Sequence, residues 1–194
     1  MNTLIYLHNI VFDWITANLA PLLIPSVARL TFAGVLLVYY WTSALTKLGD
    51  GPLGFLSPSV GAYAQIFPKQ IEAVGYDTSA LPIPYHLIAT LGMWAEFALP
   101  LLITIGLLTR LAALGMIGFI VVQSITDIFG HDLAAVDIGR WFDATSGALI
   151  FDQRAFWVLT LLTLAAMGAG PLSLDRALTS MGVGLPRRQR KNAA

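Results

Sequence analysis

The sequence contains no cysteine. That excludes disulfides, thiol relays, Cys-held iron–sulfur clusters and Cys-rich zinc sites. Charge is scarce too, at 11% of 194 residues, where a soluble domain carries about 25%. The 11 basic and 11 acidic residues cancel, so no field of one sign exists to attract polyanions, and no nucleic-acid partner is expected. What the chain has in excess is apolar: 57% hydrophobic residues and a mean hydropathy of +0.74. Such a composition excludes a disordered chain and points away from a water-soluble fold.

A helix crosses a bilayer core with about 20 apolar residues. Four segments meet that length, at about residues 27–48, 84–105, 110–129 and 153–168. Pro25 and Ser26 provide a start signal for the first. Gly106 ends the second, Gly130 the third, and Gly168-Ala169-Gly170-Pro171 the fourth. The expected fold is an all-α integral membrane protein, a four-transmembrane-helix bundle over residues 25–178, followed by a basic tail over residues 179–194. Residues 1–24 place His8, Asn9, Asp13 and Thr16 on one helical face and Leu7, Ile10, Val11, Trp14 and Ile15 on the other. This amphipathic pattern predicts an N-terminal interfacial helix. Asp13 in its middle argues against a fifth span. Tyr63, Ile66, Phe67, Ile71 and Val74 have the spacing of one apolar face, which predicts a short helix covering one end of the bundle.

Charge placement gives a topology. Arg29, Arg110, Arg176, Arg187, Arg188, Arg190 and Lys191 fall on one side with only Asp13 and Asp175. The positive-inside rule makes that side cytoplasmic, with both termini on it, in a cell inner membrane. Arg29 and Asp175 are expected to form an ion pair there.

Gly49-Asp50-Gly51-Pro52-Leu53-Gly54 fits the dinucleotide pattern, but it follows an apolar helix and not a strand, so it reads as a turn. The chemistry-bearing signals lie inside the spans, where a charge costs at least about 2.5–3.5 kcal/mol. Glu96 falls mid-helix and must be protonated or paired. Gln123, Asp127 and His131 follow at i, i+4, i+8, and Tyr40, Ser43 and Lys47 share a face of the first helix. Antiparallel packing brings these sets toward one depth. The expectation is a polar pocket at the outer leaflet made by Lys47, Glu96, Gln123, Asp127 and His131, with Tyr40, Trp41 and Trp94 as aromatic walls. The three histidines, His8, His86 and His131, give no ligand pattern, so neither haem nor metal is expected.

The sequence resembles the DoxX family of small four-span membrane proteins from about Arg29 to Leu178. The resemblance rests on Arg29 opening the first helix, Gly34 and then Lys47 closing it, Glu96, Gly106-Leu107-Leu108-Thr109-Arg110, and Gly168-Ala169-Gly170-Pro171-Leu172-Ser173-Leu174-Asp175. A long first outer loop and the amphipathic N-terminal stretch depart from the pattern. The resemblance implies a four-helix membrane bundle and a link to membrane redox complexes, including a thiosulfate:quinone oxidoreductase. The leading functional expectation is therefore an integral membrane subunit of a quinone-linked oxidoreductase. Glu96 and Asp127 would transfer protons, while Tyr40, Lys47, Gln123 and His131 would hold the quinone headgroup. Electrons would come from a protein partner in the membrane redox complex or from a small reductant. Two other readings stay open. One is a non-catalytic anchor or assembly partner of another protein. The other is a proton- or cation-coupled transporter, for which four helices leave little lumen without homo-oligomerisation.

Overall fold

A computed structural model describes residues 2–182. The basic cluster Arg187–Lys191 lies outside them. The described residues are helical, with no strand among them. Four helices are long and apolar enough to cross a membrane: α1 (Thr3–Leu45), α4 (Ile83–Ile105), α5 (Thr109–Gly130) and α7 (Leu149–Met167). Three shorter helices, α2 (Val60–Ile66), α3 (Pro68–Ala73) and α6 (Ala135–Ile138), lie in the connections, and α8 (Leu174–Ser180) follows the last span.

The spans run alternately up and down. α1 packs on α4, α4 on α5, α5 on α7, and α7 returns to α1. Phe32, Leu36, Tyr40, Ile103, Met116, Ile120, Leu161 and Leu164 fill the centre. Most other large apolar side chains on these helices face outward, as expected of surfaces solvated by lipid.

α1 differs from the sequence expectation. The chain does not break before Val27; one helix of 43 residues runs through Pro25. Proline removes an N–H from the ladder. The carbonyl it leaves open is that of Pro21, while the neighbouring Ser26 hydroxyl donates to the Leu22 carbonyl at 2.7 Å; prolines are tolerated in this way inside membrane helices. At about 1.5 Å per residue the helix is about 65 Å long, roughly twice a bilayer core. Its bundle contacts begin at Pro25, which is fully buried against Gly170, and the amphipathic stretch before Ile15 is exposed.

α7 also begins earlier than its composition suggests, with a wide π-turn over Leu149–Arg154. A similar π-turn, Thr126–Gly130, ends α5. The predicted cover exists as two helices. Pro68 divides the apolar stretch into α2 and α3, and Tyr63 and Ile71 pack with Leu81 and Ala89 at the start of α4.

The end of the bundle at Arg29 is closed by a clasp between distant segments. The Arg29 guanidinium donates to the carbonyls of Ala169, at 2.7 Å, and Leu172. Asp175 accepts from the N–H groups of Leu108 (2.7 Å) and Thr109 (3.0 Å), and its own N–H donates to the Gly106 carbonyl. The expected Arg29–Asp175 pair is therefore replaced: each side chain satisfies backbone groups that a helix end and a Gly-Pro turn leave open. Gly106, at φ 72°, has an ideal Cβ position only 2.5 Å from the Arg29 guanidinium, so no side chain fits there. Asp175→Ala should lower stability by about 0.5–2 kcal/mol, the usual loss for a helix cap. Asp175→Asn should lose less, and denaturation of both variants in detergent checks the order.

Candidate functional site

The site lies at the opposite end of the bundle, where α1, α4 and α5 meet beneath α2. Lys47 follows the last turn of α1 and is 3% exposed; Glu96, mid-way along α4, is 5% exposed. Their charged atoms are 2.9 Å apart. Lys47 Nζ also donates to Ser43 Oγ at 2.8 Å, and Ser43 Oγ lies 3.4 Å from the second Glu96 oxygen. Lysine at a helix end can snorkel to water, but this one bends back into the bundle because a buried carboxylate awaits it. Pro100 has no N–H to offer the Glu96 carbonyl one turn back. The Trp41 indole N–H donates to the adjacent Phe97 carbonyl.

A second ion pair faces the first across the bundle. Arg154, 4% exposed, reaches Asp127 at 2.5 Å and donates to Ser124 Oγ at 2.9 Å. By sequence Arg154 stands at the very start of the fourth span, on the outer side, with no place in the expected pocket. The π-turns explain the difference: they start α7 at Leu149 and extend α5 to Gly130, which draws Arg154 inside its helix and sets Asp127 opposite it. The available signal was Asp127 itself, an intramembrane acid that required a cation.

Between the pairs, Gln123 is held by two phenols. Its Oε1 accepts from Tyr40 OH at 3.2 Å, and its Nε2 donates to Tyr39 OH at 3.3 Å. Tyr40 is fully buried and packs edge-on against Phe119 and Trp157.

Lys47, Glu96, Gln123, Asp127 and His131 all line one cavity of about 480 Å³, within the range of small-molecule sites. The structure thus brings together the five residues expected to form the pocket. Its aromatic lining differs. Tyr39 and Phe119 face the cavity. Tyr40 stands behind Gln123, Trp41 is turned to Phe97, and the Trp94 indole donates to the Phe55 carbonyl at 2.6 Å. Ser43, Tyr39, Gln65 and Ile66 are further lining residues that were not assigned to the pocket from sequence.

The cover bridges the pocket. His131 Nε2 lies 3.0 Å from the Gln65 carbonyl, so that nitrogen carries the proton. Gln65 Nε2 donates to Thr46 Oγ1 at 3.1 Å, and Lys69 pairs with Asp132 at 2.8 Å. His86 is engaged by the Tyr63 hydroxyl at 2.6 Å and by the Leu81 carbonyl. Among the described residues, no three His, Asp or Glu side chains converge as a metal cluster.

Four antiparallel spans with a charged, covered pocket at one end define a small multi-pass membrane protein. A DoxX family model matches residues 24–126, more than half of the chain, and the chain belongs to the DoxX family. Neither a curated protein nor a solved structure matches it.

Removing one member of a buried ion pair strands the other, at a cost of about 3–5 kcal/mol. Glu96→Leu or Lys47→Met alone should destabilise the detergent-solubilised protein by that order. The double variant should recover most of the loss, which a double-mutant cycle of denaturation midpoints measures.

Proposed function

We propose that this DoxX protein is a membrane subunit of a quinone-linked oxidoreductase and that the Lys47–Glu96 pocket receives the quinone headgroup. The observation that carries the reading is the pocket's mixed lining. It presents the polar groups of Lys47, Glu96, Gln123, Asp127 and His131 beside the apolar Leu91, Ala95, Leu99, Gly115 and Phe119. A molecule with a polar ring and an apolar tail suits such a lining. A bound quinone supplies two-electron, two-proton redox chemistry.

The chain's residues act around it. Lys47 Nζ and Gln123 Nε2 are the donors placed to hold ring oxygens. Glu96 and Asp127 hold protons or release them at their carboxylate oxygens, Glu96 steadied by Lys47 and the Ser43 hydroxyl and Asp127 by Arg154. The cover and the apolar helix faces limit water. The chain has no cysteine, so electrons come from a partner protein or a small reductant. The basic residues near Arg29 support a cytoplasmic assignment for that end in a cell inner membrane, and the amphipathic stretch of α1 extends beyond it.

A non-catalytic assembly role is the second reading. It is favoured by the fact that both ion pairs are satisfied within the chain. Transport is disfavoured because Ile103, Met116, Ile120 and Leu161 fill the bundle beyond the pocket and offer an ion no polar route.

Mass spectrometry of organic extracts from the purified protein separates the two favoured readings. Near-stoichiometric quinone is expected, falling to the level of bulk lipid in folded Glu96→Gln and Lys47→Ala variants. Quinone at the bulk level in the native protein would defeat the redox reading and leave the assembly role.

A further inference from the structure

The cavity has two routes by which a ligand can reach the charged end, and they differ in construction. The route from the membrane surface passes through the cover. Gln65 and Ile66 roof the cavity, and Gln65 bonds at once to Thr46 beyond α1 and to His131 beyond α5. These bonds lace the cover to both sides of the pocket.

The route from the side is open. Leu91 on α4 and Val122 on α5 line the cavity, yet they are 59% and 58% exposed. A residue that both lines a cavity and faces outward marks an opening. These two lie on spans whose outer faces are solvated by lipid, so this opening gives onto hydrocarbon; Gln65 and His131, also lining and exposed, mark a second at the cover, crossed by the Gln65 bonds.

Two glycines keep the channel behind that mouth clear. A Cβ at Gly118 would meet no atom within 4 Å, so the glycine borders empty space. A Cβ at Gly115 would stand 3.1 Å from a Leu99 methyl, so the groove floor is already in contact there. Gly118 is thus the wall position at which a larger side chain would occupy the channel itself.

We infer that the ligand enters sideways from the lipid between α4 and α5, and that the channel beside Gly118 holds an apolar chain. The ligand class is then a chain-bearing membrane amphiphile. This rests on the headgroup reading above and adds to it the route and the residue that governs chain binding.

The test uses protein reconstituted in nanodiscs and two probes, a tail-less methoxy-methyl benzoquinone and the same ring with a ten-carbon chain. Bound probe is quantified by mass spectrometry after gel filtration. Gly118→Leu should weaken the chain-bearing probe by about tenfold or more, the scale at which filled apolar pockets discriminate, and leave the tail-less ring unchanged. Elution volume on gel filtration and the denaturation midpoint in detergent, both expected to match the native protein, report on folding of the variant. Equal loss of both probes in Gly118→Leu, or no loss of either, would overturn the lateral channel while the headgroup reading stands. Failure of the native protein to bind either probe would overturn both.

Discussion

The structure depends on the rule that hydrocarbon cannot solvate a polar group, so every charge within the spans must find its partner inside the chain. Lys47 and Glu96 obey it most strictly. Coulomb attraction between two nearly dry charges only roughly repays their desolvation. Such a pair adds little net stability, but separating it is costly, so it fixes the rotation of α4 against the end of α1. Once those helices are set, Ser43 and Gln123 have one geometry each, and the pocket follows. Asp127 and Arg154 impose the same constraint between α5 and α7. Two pairs on the four helices thus determine which faces meet.

Irregular helix geometry accompanies both ion pairs. Pro100 opens the turn that carries the Glu96 carbonyl. The π-turns Thr126–Gly130 and Leu149–Arg154 contain Asp127 and Arg154 themselves. A π-turn accommodates an extra residue and rotates the side chains beyond it, and such turns are frequent at functional sites. Two more, Ile15–Leu19 and Ala33–Leu37, lie in α1 and carry no charge.

The spans were legible because length and hydropathy are summed over about 20 residues, and one exceptional residue cannot hide them. Glu96 and Asp127 stood out for the complementary reason, as rare charges in an apolar background. What the sequence concealed was orientation. Arg154 stood at the outer end of its predicted span, because the π-turn that starts the helix at Leu149 has no compositional signature. Tyr40 shares a face with Ser43 and Lys47, but only packing against Phe119 and Trp157 decides that its ring sits behind Gln123 while Tyr39 meets the cavity. Pro25 looked like a boundary because proline usually is one, but a membrane helix tolerates the single open carbonyl it leaves. The Arg29–Asp175 pairing failed because opposite charges at one end of a bundle attract, but unpaired backbone N–H and C=O groups competed for both and won.

The clasp at the Arg29 end also orders events during synthesis. The turn joining α4 to α5 leaves the ribosome with the N–H groups of Leu108 and Thr109 unfilled. Their acceptor, Asp175, lies 67 and 66 positions later, beyond the last span. The hairpin of α4 and α5 can insert before then, but its turn is not closed until α7 has crossed and the following segment has folded back. The segment made last thus completes a turn made early, and a chain stopped short of Asp175 would carry all four spans with that turn still open.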